Sequence, residues 1–171
     1  SDVTVVVKPM ADGGEGTARA MIQAGDGRWI PQTVMGPLPQ MQVQAGFAWF
    51  PDETALVEMA SASGLELLSS EQMNPLKTTT FGTGQLVKAA VEHGAKKILL
   101  AVGGSATVDG GLGAAAALGW KFLNDRGGEV PLGGGGLEKL TKILVPGPNW
   151  LLRGKNGERV GVEVLCDVDN P

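Results

Sequence analysis

Asp-Gly-Gly-x-Gly occurs twice in this chain, at Asp12–Gly16 and Asp109–Gly113, each time ahead of a run of small, helix-forming residues. The second copy belongs to GGSATVDGG, Gly103–Gly111, which separates the apolar run Ile98–Val102 from the alanine-rich run Leu112–Leu118. A helix start presents unpaired backbone N–H groups and the positive end of the helix dipole. Gly103, Gly104, Gly110 and Gly111 let an anion approach such groups closely, and Ser105 and Thr107 add hydroxyl donors, as in a phosphate or carboxylate site. Asp109 does not belong in a pure anion cradle, because a carboxylate repels phosphate. It makes sense as a magnesium ligand or as the group that takes a proton from an attacking hydroxyl. It makes equal sense as a helix cap, and the two roles are compatible.

The first copy poses the same choice. Asp12, with Gly13 and Gly14, offers a second carboxylate on a glycine-lined helix start, while Glu15 three residues later has capping-box spacing. TTTFGTG, Thr78–Gly84, places hydroxyls before a helix. Thr79 or Thr80 would cap that helix, and Thr79 and Thr83 are also candidates to contact a polyol or phosphate. EMASASGL, Glu58–Leu65, ends a strand with an acid and small hydroxyl residues. CDVDNP at the end of the sequence offers Asp167 and Asp169, oxygen donors of the kind magnesium takes, although an exposed turn explains them as well. Cys166 reads as a packed thiol. His93 falls in the last turn of its helix, where a cation complements the dipole.

These residues need elements to hold them. Strands are expected at Val3–Val7, Arg28–Met35, Met41–Phe50, Thr54–Met59, Lys97–Val102, Trp120–Leu123, Lys142–Val145 and Val160–Cys166. Helices are expected at Gly13–Ala24, Phe81–Glu92 and Gly110–Leu118, with a glycine loop at Gly133–Gly136. Short links between the strands from 28 to 59 favour an antiparallel meander, and strand–loop–helix units follow. The expected fold is α/β: a mixed β-sheet with an antiparallel meander, flanked by helices.

The bulk numbers narrow the function. The chain has 171 residues, a formal charge of -4 and 43% hydrophobic residues, enough for one α/β domain over 1–171 with a real core. No basic cluster calls for nucleic acid, and aromatic residues at 5% give little for base stacking. No apolar run is long enough to span a membrane. One cysteine cannot form an internal disulfide, which suits a reducing cytoplasm. There is no G-x-x-x-x-G-K-S/T phosphate loop, no zinc spacing and no G-x-S-x-G elbow. A G-x-G-x-x-A occurs at Gly111–Ala116 with Asp125 beyond it, and keeps a dinucleotide-binding domain as a weak alternative. Both ends read as cut, so a fragment or excised domain is expected.

ADGGEGT, EMASASGL, TTTFGTGQL, GGSATVDGG and CDVDNP, in this order from Ala11 to Pro171, together resemble the glycerate kinase type 1 family, the bacterial glycerate 2-kinases. The resemblance implies ATP-dependent phosphorylation of D-glycerate to 2-phosphoglycerate, with magnesium, in the cytoplasm. It implies two unlike α/β domains with a cleft between them, of which this chain covers about half. The rest of the kinase is then its partner, and a homo-oligomer stays open. Missing are an opening segment with an Asp-Ser-Phe/Tyr-Lys pattern and a later glycine-rich segment, where part of the nucleotide and catalytic apparatus is implied. Val108 departs from the asparagine expected in Ala-Thr-Asn-Asp-Gly-Gly. On this resemblance Asp109 would bind magnesium or orient the 2-hydroxyl for in-line attack on the γ-phosphate. Asp12 would be the second candidate for that role, and Asp167 a third carboxylate. The competing class is a domain that binds glycerate or phosphate without catalysis.

Overall fold

The computed structural model describes residues 3–6, 8, 10–147, 152–154 and 156–167. The chain runs α1 (Thr17–Ala24), β1 (Arg28–Met35), β2 (Gln42–Trp49), β3 (Thr54–Glu58), α2 (Ala60–Ser63), α3 (Phe81–His93), β4 (Lys97–Ala101), α4 (Leu112–Ala117), β5 (Lys121–Leu123), β6 (Lys142–Leu144) and β7 (Gly161–Leu165). Short 3₁₀ turns lie at Leu65–Leu67, Ser70–Gln72 and Gly134–Lys139.

One sheet has the order β1-β2-β3-β4-β7. The first three strands form the antiparallel meander, and β3, β4 and β7 run parallel. β5 and β6 make a separate antiparallel pair. The fold class read from the sequence is therefore the one observed: a mixed sheet with flanking helices.

Successive strand residues point to opposite faces, and the core divides accordingly. Phe47, Ala55, Val57 and Ile98 turn to one side, against Leu86, Val87 and Ala90 of α3. Their neighbours Ala48, Leu56 and Leu99 turn to the other, against Ala18, Met21 and Ile22 of α1. β3 is buried at every position, which explains its central apolar run Ala55–Val57. His93, in the last turn of α3, meets the rings of Phe47 and Trp49 edge-on at 5.7 and 4.7 Å, a packing role.

Several boundaries differ from the sequence reading. The helix expected from Gly13 begins at Thr17, because Gly16 sits at φ 87°, outside helical space. The helix expected from Gly110 begins at Leu112, after Gly110 and Gly111 at φ 63° and 76°. The glycine loop at Gly133–Gly136 runs into the 3₁₀ turn Gly134–Lys139. Val3–Val6 form no regular element and are exposed, since a β-branched run becomes a strand only beside a partner; Val7 lies outside the described residues. Cys166 is exposed, not packed, as the chain has already left β7 there.

Candidate active site

The parallel strands β3, β4 and β7 end together, and their carboxyl ends lead into Met59–Gly64, Val102–Gly111 and Cys166–Asp167. In open α/β sheets ligands bind outside the carboxyl ends of the strands. The loop before α1 joins them there. Gly103 donates its N–H to the carbonyl of Gly13 at 3.1 Å. A Cβ on Gly103 would stand 2.6 Å from the Cα of Gly14, so only glycine permits this backbone-on-backbone contact. The two glycine loops that the sequence repeats are thus packed against each other at one corner of the molecule.

The two aspartates behave differently there. Asp12 accepts the N–H of Gly14 at 3.1 Å and is exposed. It lines an open hollow of about 520 Å³ with Gly13, Thr17, Leu165, Cys166 and Asp167. The capping box with Glu15 does not form: α1 starts after Gly16 with no side-chain bond from that residue. A residue distant in sequence caps the helix instead. Glu58, at the end of β3 and only 7% exposed, accepts the N–H of Ala18 at 2.6 Å. The signal for it was present as an acid directly after the apolar run Ala55–Val57; its target, 40 residues away, was not.

Asp109 is 1% exposed. It accepts the N–H groups of Gly111 at 3.0 Å, Gly113 at 3.1 Å and Thr80 at 2.8 Å, and the hydroxyls of Thr79 at 3.1 Å and Thr80 at 3.0 Å. These donors fill the sites a carboxylate offers. Asp109 therefore ties the start of α3 to the start of α4. The helix starts that looked like anion cradles are both filled from within, α4 by Asp109 and α1 by Glu58.

The hydroxyls follow the same pattern. Thr79 is buried against Asp109, and Thr83 against Ser63 at 2.9 Å. Thr80 receives the N–H of Ala114 at 2.8 Å and does not cap its own helix. Thr107 donates to the carbonyl of Thr78, and Ser105 to that of Thr107 at 3.1 Å. Thr79, Thr83 and Thr107 thus face the protein. Gly104, Gly110 and Gly111 are exposed on the loop surface, Gly14 is half-buried and Gly13 buried.

A second hollow of about 510 Å³ lies on the other side of this corner, lined by Glu15, Glu58, Ser61, Glu66 and Gly104 among others. The neighbouring Glu66, which accepts from the protonated Glu15 carboxyl, then desolvation and the charges of Glu66 and Glu58, hold that carboxyl above the ordinary glutamate value. Neither hollow is lined by a Lys or Arg among the described residues. No three His, Cys, Asp or Glu side chains among them gather closely enough to hold a metal ion. No helix among them is long and apolar enough to cross a membrane.

The G-x-G-x-x-A at Gly111–Ala116 is not part of a dinucleotide unit. α4 leads into β5, which pairs antiparallel with β6 outside the main sheet, and Asp125 lies in the exposed turn beyond.

The chain is 48% identical over 164 residues to a glycerate kinase of Bacillus subtilis (strain 168), covering 95% of this chain and 41% of that protein. It is 44% identical over 171 residues to a glycerate 2-kinase of Escherichia coli (strain K12), covering 99% and 43%. A crystal structure from Salmonella typhimurium LT2, provisionally assigned to glycerate kinase 2, superposes with a TM-score of 0.85 at 43% identity, over 96% of this chain and 43% of that one. The chain thus spans about two fifths of the length of the relatives it matches. The model of the glycerate kinase family matches residues 1–171, and the chain belongs to that family.

Proposed function

We propose that this chain carries the acceptor side of a glycerate kinase, an enzyme that transfers the γ-phosphoryl group of ATP to the 2-hydroxyl of D-glycerate and releases 2-phosphoglycerate. The observation that supports it most is the convergence of three parallel strand ends on an exposed Asp12 that shares its hollow with Asp167. Phosphoryl transfer needs positioning and charge neutralisation more than covalent chemistry. Asp12 would accept the hydroxyl proton in the hollow it shares with Gly13, Thr17 and Asp167. Asp109, Thr79 and Thr107 hold the loop whose Gly103 packs against Gly13 of that hollow.

Magnesium is usually held by one or two carboxylates together with substrate phosphates, and keeps several waters. Asp12 and Asp167, two acids on one hollow, fit that requirement; Asp109, with its lone pairs filled, does not. When bound, the ion would neutralise charge on the transferring phosphoryl group. The cationic side chains that phosphoryl transfer also uses are assigned to the remainder of the full-length protein, because neither hollow supplies one. The same feature favours a second reading for the chain in isolation: it binds glycerate without turning it over. A cytoplasmic setting accompanies the proposal.

The test is ADP release by the full-length protein with D-glycerate and magnesium-ATP, with the product position read by NMR. Turnover to 2-phosphoglycerate supports the proposal; magnesium-ATP and glycerate giving no ADP contradicts it.

A further inference from the structure

We infer that Glu58 is a positioning residue that sets the Asp12 loop in its working place, an inference that rests on the reading of Asp12 given above. α1 has no side-chain cap at Gly16 and no acid in its first turn, so its N-terminal amides would be left to solvent. Glu58 supplies the missing acceptor from the end of β3, through the 2.6 Å bond to Ala18. The bonds continue outward: the Thr17 hydroxyl donates to the carbonyl of Gly14 at 2.7 Å, and the N–H of Gly14 to Asp12 at 3.1 Å. Three consecutive contacts link a buried carboxylate on the central strand to an exposed one in the hollow.

The main chain beside Glu58 is equally fixed. Its carbonyl accepts the hydroxyl of Ser61 at 2.8 Å, and Met59 donates to Ala101 of β4 at 2.8 Å. Glu58 is thus anchored in the sheet while its side chain holds the other partner in the pair, a glycine-rich helix start. Burying a carboxylate with no Lys or Arg among the described residues paired to it costs more than capping a helix from its own surface. A serine or aspartate in place of Gly16 would cap α1 without reference to the sheet. What the buried acid adds is registry between α1 and the carboxyl ends of the strands. The other acids at this corner, Glu15 and Glu66, line the hollow on the far side of Glu58 and interact with each other.

The experiment uses the full-length protein with Glu58→Ala, Glu58→Asp and Glu58→Gln. Each is followed by kcat and KM for D-glycerate and by amide hydrogen exchange. Glu58→Ala is expected to lower kcat by about 100-fold, since small misplacements of catalytic groups have effects of that order. Exchange at 13–18 should quicken by at least about tenfold while α3 stays protected. Glu58→Gln keeps an oxygen acceptor and should recover kcat to within about fivefold of the parent, the remainder reflecting the lost charge at the helix end. Glu58→Asp, too short to reach Ala18, should behave like Glu58→Ala, and it replaces that variant if Glu58→Ala does not fold. A folded Glu58→Asp or Glu58→Ala protein with parental kcat, or with unchanged exchange at 13–18, overturns the inference. If the parent protein itself fails to phosphorylate glycerate, the functional reading falls; the exchange arm then decides the fate of Glu58 alone, quickening supporting the inference and no change overturning it.

Discussion

Asp12 and Asp109 make the same local bond, each accepting the backbone N–H two residues on, from Gly14 at 3.1 Å and Gly111 at 3.0 Å, yet Asp109 is buried and Asp12 is exposed. The repeated Asp-Gly-Gly motif therefore makes one local hydrogen bond and serves two uses. What separates them is what lies opposite. Thr79 and Thr80 close over Asp109 from α3, whereas Asp12 opens onto a hollow shared with Asp167.

Asp109→Asn should cost stability first. The substituted amide would turn an NH₂ group toward N–H and O–H donors, leaving at least one of them unpaired in the interior, a loss of about 3 kcal/mol. Thermal unfolding of the full-length variant checks it. A Tm equal to the parent's would mean that the buried network does not hold α3 to α4.

The α3–α4 contact makes a second prediction. A Cβ on Gly84 would stand 2.7 Å from the Cα of Ala114, backbone against backbone, with no flexible side chain to yield. Gly84→Ala should destabilise by about 2 kcal/mol through overpacking, despite the better helix propensity of alanine. Denaturant titration would show the midpoint falling; a rise would mean that the helices separate without cost.

Glu15 and Glu66 give a pH-dependent prediction. The hydrogen bond that protonated Glu15 gives to Glu66, then desolvation and like charge, hold the Glu15 carboxyl above its ordinary value, so folding favours its protonated form. The associated stabilisation is fully present below the unfolded-state value and is lost as pH rises through the raised folded-state value. In Glu66→Gln the Glu15 midpoint, followed by carboxyl-detected NMR, should fall, because an amide N–H favours the ionised acid. A midpoint that stays raised would place the cause elsewhere.

Much of this was legible in the sequence. The runs at 28–35, 42–49 and 54–58 became the meander, and Phe81–His93 carried its helical spacing through to a glycine stop, because in these segments local pattern and tertiary burial agree. The cap on α4 was legible, because Asp109 reaches the amides of Gly111 and Gly113 two and four residues on. The cap on α1 was not, because Glu58 lies 40 residues from Ala18, and neither was the closure of Thr79 and Thr80 over Asp109 from about 30 residues away. The strand expected at Val3–Val7 fails for a related reason: composition supplies the propensity, but pairing is a property of a neighbour.

The most direct test of the account is the kcat of Asp12→Asn in the full-length protein, with D-glycerate and magnesium-ATP. Asn preserves the turn with Gly14 and removes the proton acceptor, so kcat should fall by about 10²–10⁴-fold with exchange protection of α1 unchanged. Parental turnover by Asp12→Asn would contradict the assignment of Asp12 as the group that receives the hydroxyl proton.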